Sequence, residues 1–180
     1  MTHLPGLQAR TLGSPMSLEA FSCWAAETPN APQELKELWK EYLGSIVFDC
    51  TVKFSPKEKS GVETEDGTLA VDLIFGPGDG PNSFGCALQI VKQYDENYTP
   101  IASLGGNCYL VHGFEDNKIY TFLPNVPEGD QVFFEAFDNI SAWFDHLMVE
   151  QESEVRIAPK PIASVDRGLA AMVEAREKLN

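Results

Sequence analysis

Residues 107–123 read NCYLVHGFEDNKIYTFL. Two runs rich in β-branched and aromatic residues, 107–112 and 118–123, flank the turn segment GFEDN. That arrangement predicts a β-hairpin, and therefore antiparallel pairing. Upstream, residues 46–54 (IVFDCTVKF) and 68–75 (TLAVDLIF) have the same texture and read as strands, with the polar stretch 55–67 as a loop or long hairpin connection between them. A Gly/Pro-rich segment, GPGDGPNSFG (76–85), excludes regular structure, and residues 86–95 read equally as helix or irregular chain. Downstream, a further strand is expected near 131–134. A helix capped by Asp138 or Asn139 should follow, placing Ile140, Trp143, Phe144, Leu147 and Met148 on one face.

Toward the N-terminus the period changes from about 2 to 3.6. Ser17 can cap a helix running to about Glu27, broken by Thr28-Pro29-Asn30. Pro32 suits a first helical turn, and Leu35, Leu38, Trp39, Tyr42 and Leu43 recur at helical spacing before Gly44 stops the run. Beyond the Pro159-Lys-Pro161 linker, residues 164–179 read as a last, Ala-rich helix. Helices, then strands, then a helix, without βαβ alternation, imply an α+β fold. The expected architecture is a mostly antiparallel twisted sheet with helices packed on one side, plus an appended C-terminal helix. The boundaries expected are an irregular arm at 1–16, the main domain at 17–158, and the linker and helix at 159–180.

The chain has 180 residues, enough for one well-cored domain with a short appendage. Against 13 Lys and Arg stand 27 Asp and Glu, a formal net charge of −14. Such a chain repels phosphate backbones, so no nucleic-acid partner is expected; a basic protein partner fits the field. No run of about 18 apolar residues is present, and the N-terminal stretch, with Pro5, Gly6 and Pro15, lacks the apolar core of a secretory signal. With four dispersed cysteines (Cys23, Cys50, Cys86, Cys108) reading as reduced thiols, the expected location is cytoplasmic, with no membrane partner.

Extended to residues 98–122, YTPIASLGGNCYLVHGFEDNKIYTF, the signature becomes more specific. Pro100-Ile101-Ala102, then Gly105-Gly106-Asn107, then the strand Cys108 to Val111, then Lys118-Ile119-Tyr120, together resemble the core region of the SUKH superfamily. Bacterial toxin-immunity proteins and a fungal cell-wall regulator share that fold. The aromatic segment VFFEAFDNISAWFDHLM (132–148) is similar to the helix that follows in such proteins. The resemblance covers residues 98–148 well and the N-terminal half loosely. His112 stands where the family often has an acidic residue after the strand, and the segment after Pro161 lies outside the shared region. The resemblance implies an α+β fold and a protein that binds partners and transforms no substrate.

Residue by residue, catalytic readings are weaker. The loop Gly76 to Pro81 lacks the Gly-Lys-Ser/Thr ending of a phosphate cradle, and Asp79 would repel a phosphate. Cys108 and His112 would share a strand face but lie about 13 Å apart, too far for a nucleophile and its base. Cys108 with His146 remains a formal pair, with buried thiol the default reading. His3, His112 and His146 have no metal-ligand spacing with any cysteine, and no cofactor or metal is expected. What does stand out is charge. Between residues 115 and 154 ten carboxylates (Glu115, Asp116, Glu128, Asp130, Glu135, Asp138, Asp145, Glu150, Glu152, Glu154) face only Lys118, a net of −9. A solvated face and a docking surface for a basic partner are both consistent with that excess. Taken with the resemblance, the docking reading makes Glu115, Asp116, Glu128, Asp130, Asp145, Glu150, Glu152 and Glu154 the expected contact residues, with Trp143 as an aromatic anchor. The expected function is that of an immunity protein occluding a cognate toxin, a basic nuclease or other effector acting in the cytoplasm. The alternatives are a regulatory or scaffolding module on the same fold and a small cysteine hydrolase using Cys108.

Overall fold

A computed structural model describes residues 4, 6–28, 31–78 and 80–150 of the chain. Residues up to Glu150 belong to one compact unit. The linker and helix expected at 159–180 lie outside the described residues, as do Glu152 and Glu154.

The described part of the stretch 1–16, expected as an irregular arm, contributes to the sheet and the core. Residues Ala9–Thr11 form strand β1, and Leu4 and Leu7 are buried in the core. Helix α1 (Leu18–Glu27) begins where Ser17 Oγ accepts the Ala20 N–H at 3.1 Å. Helix α2 (Gln33–Tyr42) follows Pro32 and buries Leu35, Leu38 and Trp39, the apolar positions set by its periodicity. Its left-handed closing residue is Leu43, not Gly44. Gly44 serves a close approach instead, since a Cβ there would lie 2.7 Å from Thr11 Cγ2 of β1.

The single strand expected over 46–54 is two strands. β2 (Ile46–Phe48) and β3 (Val52–Phe54) both pair with β4 (Leu69–Ile74), Ile46 opposite Ile74 and Val52 opposite Val71. Between them the chain turns out toward the N-terminal segment, where the Asp49 N–H donates to Gln8 O and Asp49 Oδ1 pairs with Arg10 at 2.6 Å. After β4 the Gly/Pro-rich loop enters helix α3 (Phe84–Lys92), which resolves the ambiguous segment. Ser83 caps it, and Phe84, Ala87 and Val91 are buried.

Strand β5 (Tyr98–Leu104) then runs between β4 and β6 (Cys108–Gly113). Pro100 has no N–H to give a central strand, and the pairing register with β6 shifts between Pro100 and Ala102, so the missing donor falls at a bulge. In the connection to β6 the left-handed residues are Gly106 (φ 81) and Asn107 (φ 61). Strand β7 (Ile119–Phe122) completes the expected hairpin, and β8 (Phe133–Phe137) lies beside it. Helix α4 (Ile140–Asp145), capped by Asn139, is shorter than the apolar stripe implied. Met148 instead belongs to β9 (Met148–Val149), which pairs with β3.

All named strand pairs are antiparallel, in the order β1-β2-β4-β5-β6-β7-β8, with β3 bridging β4 and β9. The fold is α+β with an open sheet. The outer edge of β8 is occupied: the Lys57 and Glu58 N–H groups donate to the Ala136 and Glu135 carbonyls, and the Glu135 N–H donates to Glu58 Oε2 at 2.9 Å. A bare edge invites another chain, and this one is covered.

Helices flank both faces of the sheet, not one. The registers place Leu110, Thr121, Ile119 and Phe137 on one face, where Trp143 of α4 meets Phe54, itself against Phe137. They place Val111, Tyr120, Phe122 and Phe133 on the other, where Val91 of α3 packs with Val111 and Phe122.

Candidate protein-docking surface

The acidic residues expected to dock a partner do not form one patch. Strand pairing decides this. Tyr98 lies opposite Gly113, so the turn after α3 (with Asp95 and Glu96) and the β6–β7 turn (with Glu115 and Asp116) meet at one end of the sheet. Glu128 and Asp130 sit on the β7–β8 connection at the other end, about 13 Å of strand away. Asp145 is the last residue of α4, and Glu150 follows β9, its N–H donating to Thr51 O. All six expected carboxylates among the described residues are exposed.

Several acids carry partners that come from distant sequence. Lys53 of β3 lies 2.7 Å from Asp66 and 3.3 Å from Glu150. Lys57 pairs with both Glu135 and Asp138, and Lys118 lies 2.5 Å from Glu135. The hydrogen bond from Lys118, then that from Lys57, holds the Glu135 carboxyl below its usual range; Lys57 does the same for Asp138. The −9 stretch is thus partly neutralised by Lys53 and Lys57. By contrast, Glu96, Glu115, Glu128, Asp130 and Asp145 take no ion pair among the described residues.

Trp143 is not an anchor on that surface. It is fully buried, packed against Phe54 and Phe144. The short helix α4 must lay its only large wholly apolar face on the sheet, and Trp143 falls on it with Ile140.

The aromatic surface lies instead on the opposite sheet face. Phe133 is stacked between Tyr98 (centroids 4.0 Å apart, 9° between planes) and Phe122 (4.9 Å, 18°). Tyr120 meets Tyr98 edge-on at 5.4 Å, and Tyr94, 46% exposed, meets Phe122 at 5.0 Å. Tyr98, Tyr120 and Phe133 are half-buried. A residue without a side chain makes this possible: a Cβ on Gly113 would lie 2.8 Å from Asp116 Oδ1, 3.3 Å from the Tyr120 ring and 3.5 Å from the Tyr98 ring. Tyr98 leans across that gap.

Charge and rings are coupled at this end. Tyr120 donates its hydroxyl hydrogen to Asp116 Oδ2, and the Lys118 N–H donates to Asp116 Oδ1 at 3.0 Å. Burial pushes the Tyr120 hydroxyl well above its ordinary range, and the Asp116 hydrogen bond pushes it further. Partial burial favours a neutral Asp116, yet the bonds from Tyr120 and Lys118 prevail and hold its carboxyl low. The Tyr98 hydroxyl is raised by burial and then by the charges of Asp95, Asp116 and Glu115, which come from two turns.

The other candidate sites have structural explanations. Cys108 is buried, its thiol raised by burial and by the Glu63 charge, which disfavours the thiolate a nucleophile requires. His112 Nε2 bonds Asn117 Oδ1 at 2.8 Å within its own hairpin, and His146 is exposed with Nδ1 at 2.7 Å from Ala142 O. Among the described residues, no group of three His, Cys, Asp or Glu side chains could hold a metal. The Gly76 loop lines a cleft of about 350 Å³ with Ser45, whose hydroxyl donates to Asn82 O and accepts the Gly76 N–H; Ser83 already caps α3. No helix among the described residues is long and apolar enough to cross a membrane.

Asp95, Glu96, Tyr98, Tyr120 and Phe133 were absent from the sequence-derived set. Their signal was present: in a hairpin, Tyr109, Val111, Tyr120 and Phe122 alternate onto one face, and Gly113 opens the space beside them. What fold and surface define is a class, an open antiparallel α+β domain with an acid-rimmed aromatic sheet face. Comparison with protein-family models, curated proteins and solved structures finds no match.

Proposed function

We propose that the chain is a cytoplasmic, SUKH-type immunity protein that binds a basic toxin domain and blocks it by non-covalent occlusion. The observation that carries this reading is that the two turns bearing Asp95, Glu96, Glu115 and Asp116 meet beside half-buried aromatic rings on a sheet face. A binding surface of that kind needs exposed charge for steering and rigid aromatic area for contact. The resemblance at residues 98–122 supports it further, since those residues make the three strands on which the surface is built. The net charge of −14 favours a basic partner over a nucleic acid or an anionic lipid surface.

The test is recovery of the tagged protein with its bound partners from its native cells, followed by purification of the captured protein and assay of its toxicity. The expected result is one basic protein near 1:1, harmful to cells when produced alone and inactive when mixed with equimolar chain. Several captured host proteins, none toxic, would replace this reading with that of a regulatory scaffold.

A further inference from the structure

The chemistry of the partner group can be taken further than its sign of charge. On the β5–β8 face, α3 packs against β5, and beyond it Tyr98, Tyr120 and Phe133 retain part of their surface. The rings are held rigidly, by the Tyr98–Phe133–Phe122 stack and by the Tyr120 hydroxyl on Asp116. Rigid rings cost little entropy on binding. The charges on the side of the two turns are mostly negative: Asp95, Glu96, Glu115 and Asp116 against Lys118. Lys118 has its ammonium engaged by Glu135 at 2.5 Å, the carboxylate opposite Tyr120 in the strand pairing.

A surface of electron-rich rings beside exposed carboxylates selects between the two common cations. An ammonium is compact and strongly hydrated, so it gains from the carboxylates and little from the rings. A guanidinium is planar and weakly hydrated; it stacks on an aromatic face while its edge donates paired hydrogen bonds to a carboxylate. Glu115 is exposed, without an ion pair among the described residues, and stands one position from Asp116, which anchors the rings.

We infer that this face is the docking site for an arginine side chain of a basic protein partner, its guanidinium lying against Tyr98 and Tyr120 and its edge turned to Glu115 and Asp116. This rests on the reading of the chain as a protein-binding domain, but not on the partner being a toxin.

The experiment is an NMR titration of the full chain with N-acetyl-arginine amide, with N-acetyl-lysine amide and sodium chloride at matched ionic strength as references. Saturable shifts should cluster on Tyr98, Gly113, Tyr120 and Phe133, with arginine binding about threefold or more tighter than lysine, the size of one exposed cation–π contact. Glu115→Gln, an exposed turn substitution, should weaken arginine binding about threefold or more and leave the fold intact. Phe133→Leu keeps apolar volume and removes the central ring, and should reduce the preference for arginine over lysine. Shifts spread equally over the Glu128 and Asp130 loop, equal binding of lysine, or no saturation would each overturn the inference. If arginine binds here but no toxin is captured from cells, the immunity reading falls and this site stands. If a toxin is captured and its affinity ignores both Glu115→Gln and Phe133→Leu, the docking face is elsewhere and this inference falls.

Discussion

Two glycines show how differently one missing side chain can be used. At Gly76 an added Cβ would fall 2.0 Å from Gly44 O and 2.5 Å from Ser45 N, both backbone atoms that cannot rotate away. The strand end, the Ser45 hydroxyl and the start of α3 are joined at this point, since the Gly76 N–H donates to Ser45 Oγ and its carbonyl accepts the Phe84 N–H. Gly76→Ala should therefore cost about 3 kcal/mol or more, the upper range for overpacking, and show as a large drop in the urea midpoint. At Gly113 the nearest atom is the end of a side chain, Asp116 Oδ1 at 2.8 Å. Asp116 can swing aside, losing its bonds to Tyr120 and Lys118. Gly113→Ala should then cost only about 1–2 kcal/mol. It should nonetheless move the Tyr98 and Tyr120 ring resonances, which an unrelated destabilising change would not. If those resonances stay in place, the glycine does not set the ring geometry. Trp143 supplies a third case: truncation to alanine should cost about 3–5 kcal/mol, as for any fully buried large aromatic, whereas an exposed anchor would cost little.

At the scale of elements, much of the fold was legible because the local signals agreed with the tertiary ones. Ser17 and Asn139 cap the helices their side chains suit, and the 3.6 period of α2 buries Leu35, Leu38 and Trp39. The hairpin at 108–122 followed from alternation around a turn. What stayed hidden depended on contacts that local pattern does not encode. β1 and β9 are three and two residues long and exist because β2 and β3 offer them edges. β5 contains a proline that reads against a central strand until the bulge beside it is known. The docking surface suffered most, because counting charge along the chain could not show which lysines fold back onto it. Lys57 is the clearest example, arriving from the β3–β4 connection to pair with Glu135 and Asp138. Both carboxyls are held low, so the pairing stabilises the fold above ordinary carboxylate pKa values and its contribution disappears as pH falls through the lowered ones. Lys57→Met should accordingly lower the urea midpoint at pH 7, with the gap to the natural chain narrowing as pH falls below the ordinary carboxylate range. A gap that stays constant with acid would mean that Lys57 acts through its methylene stem.

Across the whole molecule, the question is whether a net charge of −14 acts as one field or as separate patches. The two acidic ends of the β5–β8 sheet are about 13 Å apart along the strands. At about 0.01 M salt the screening length is about 30 Å, longer than that separation, so a basic partner is attracted by every carboxylate at once. At about 0.1 M it shrinks to about 10 Å, and Glu128 and Asp130 are largely screened from a partner docking at the Glu115 end. Two double variants separate the regimes: Asp95→Asn with Glu115→Gln, and Glu128→Gln with Asp130→Asn. Each removes two negative charges, so the net charge is the same in both. With the captured basic partner, both should slow association to a similar extent at the lower salt, by about threefold. At the higher salt only the Asp95 and Glu115 pair should still slow it, and that pair alone should also speed dissociation, because only there does a charge lost from the surface also leave the interface. Equal effects of the two pairs at both salts would mean that the acid excess is a diffuse solvating field and that contact is made on some other face.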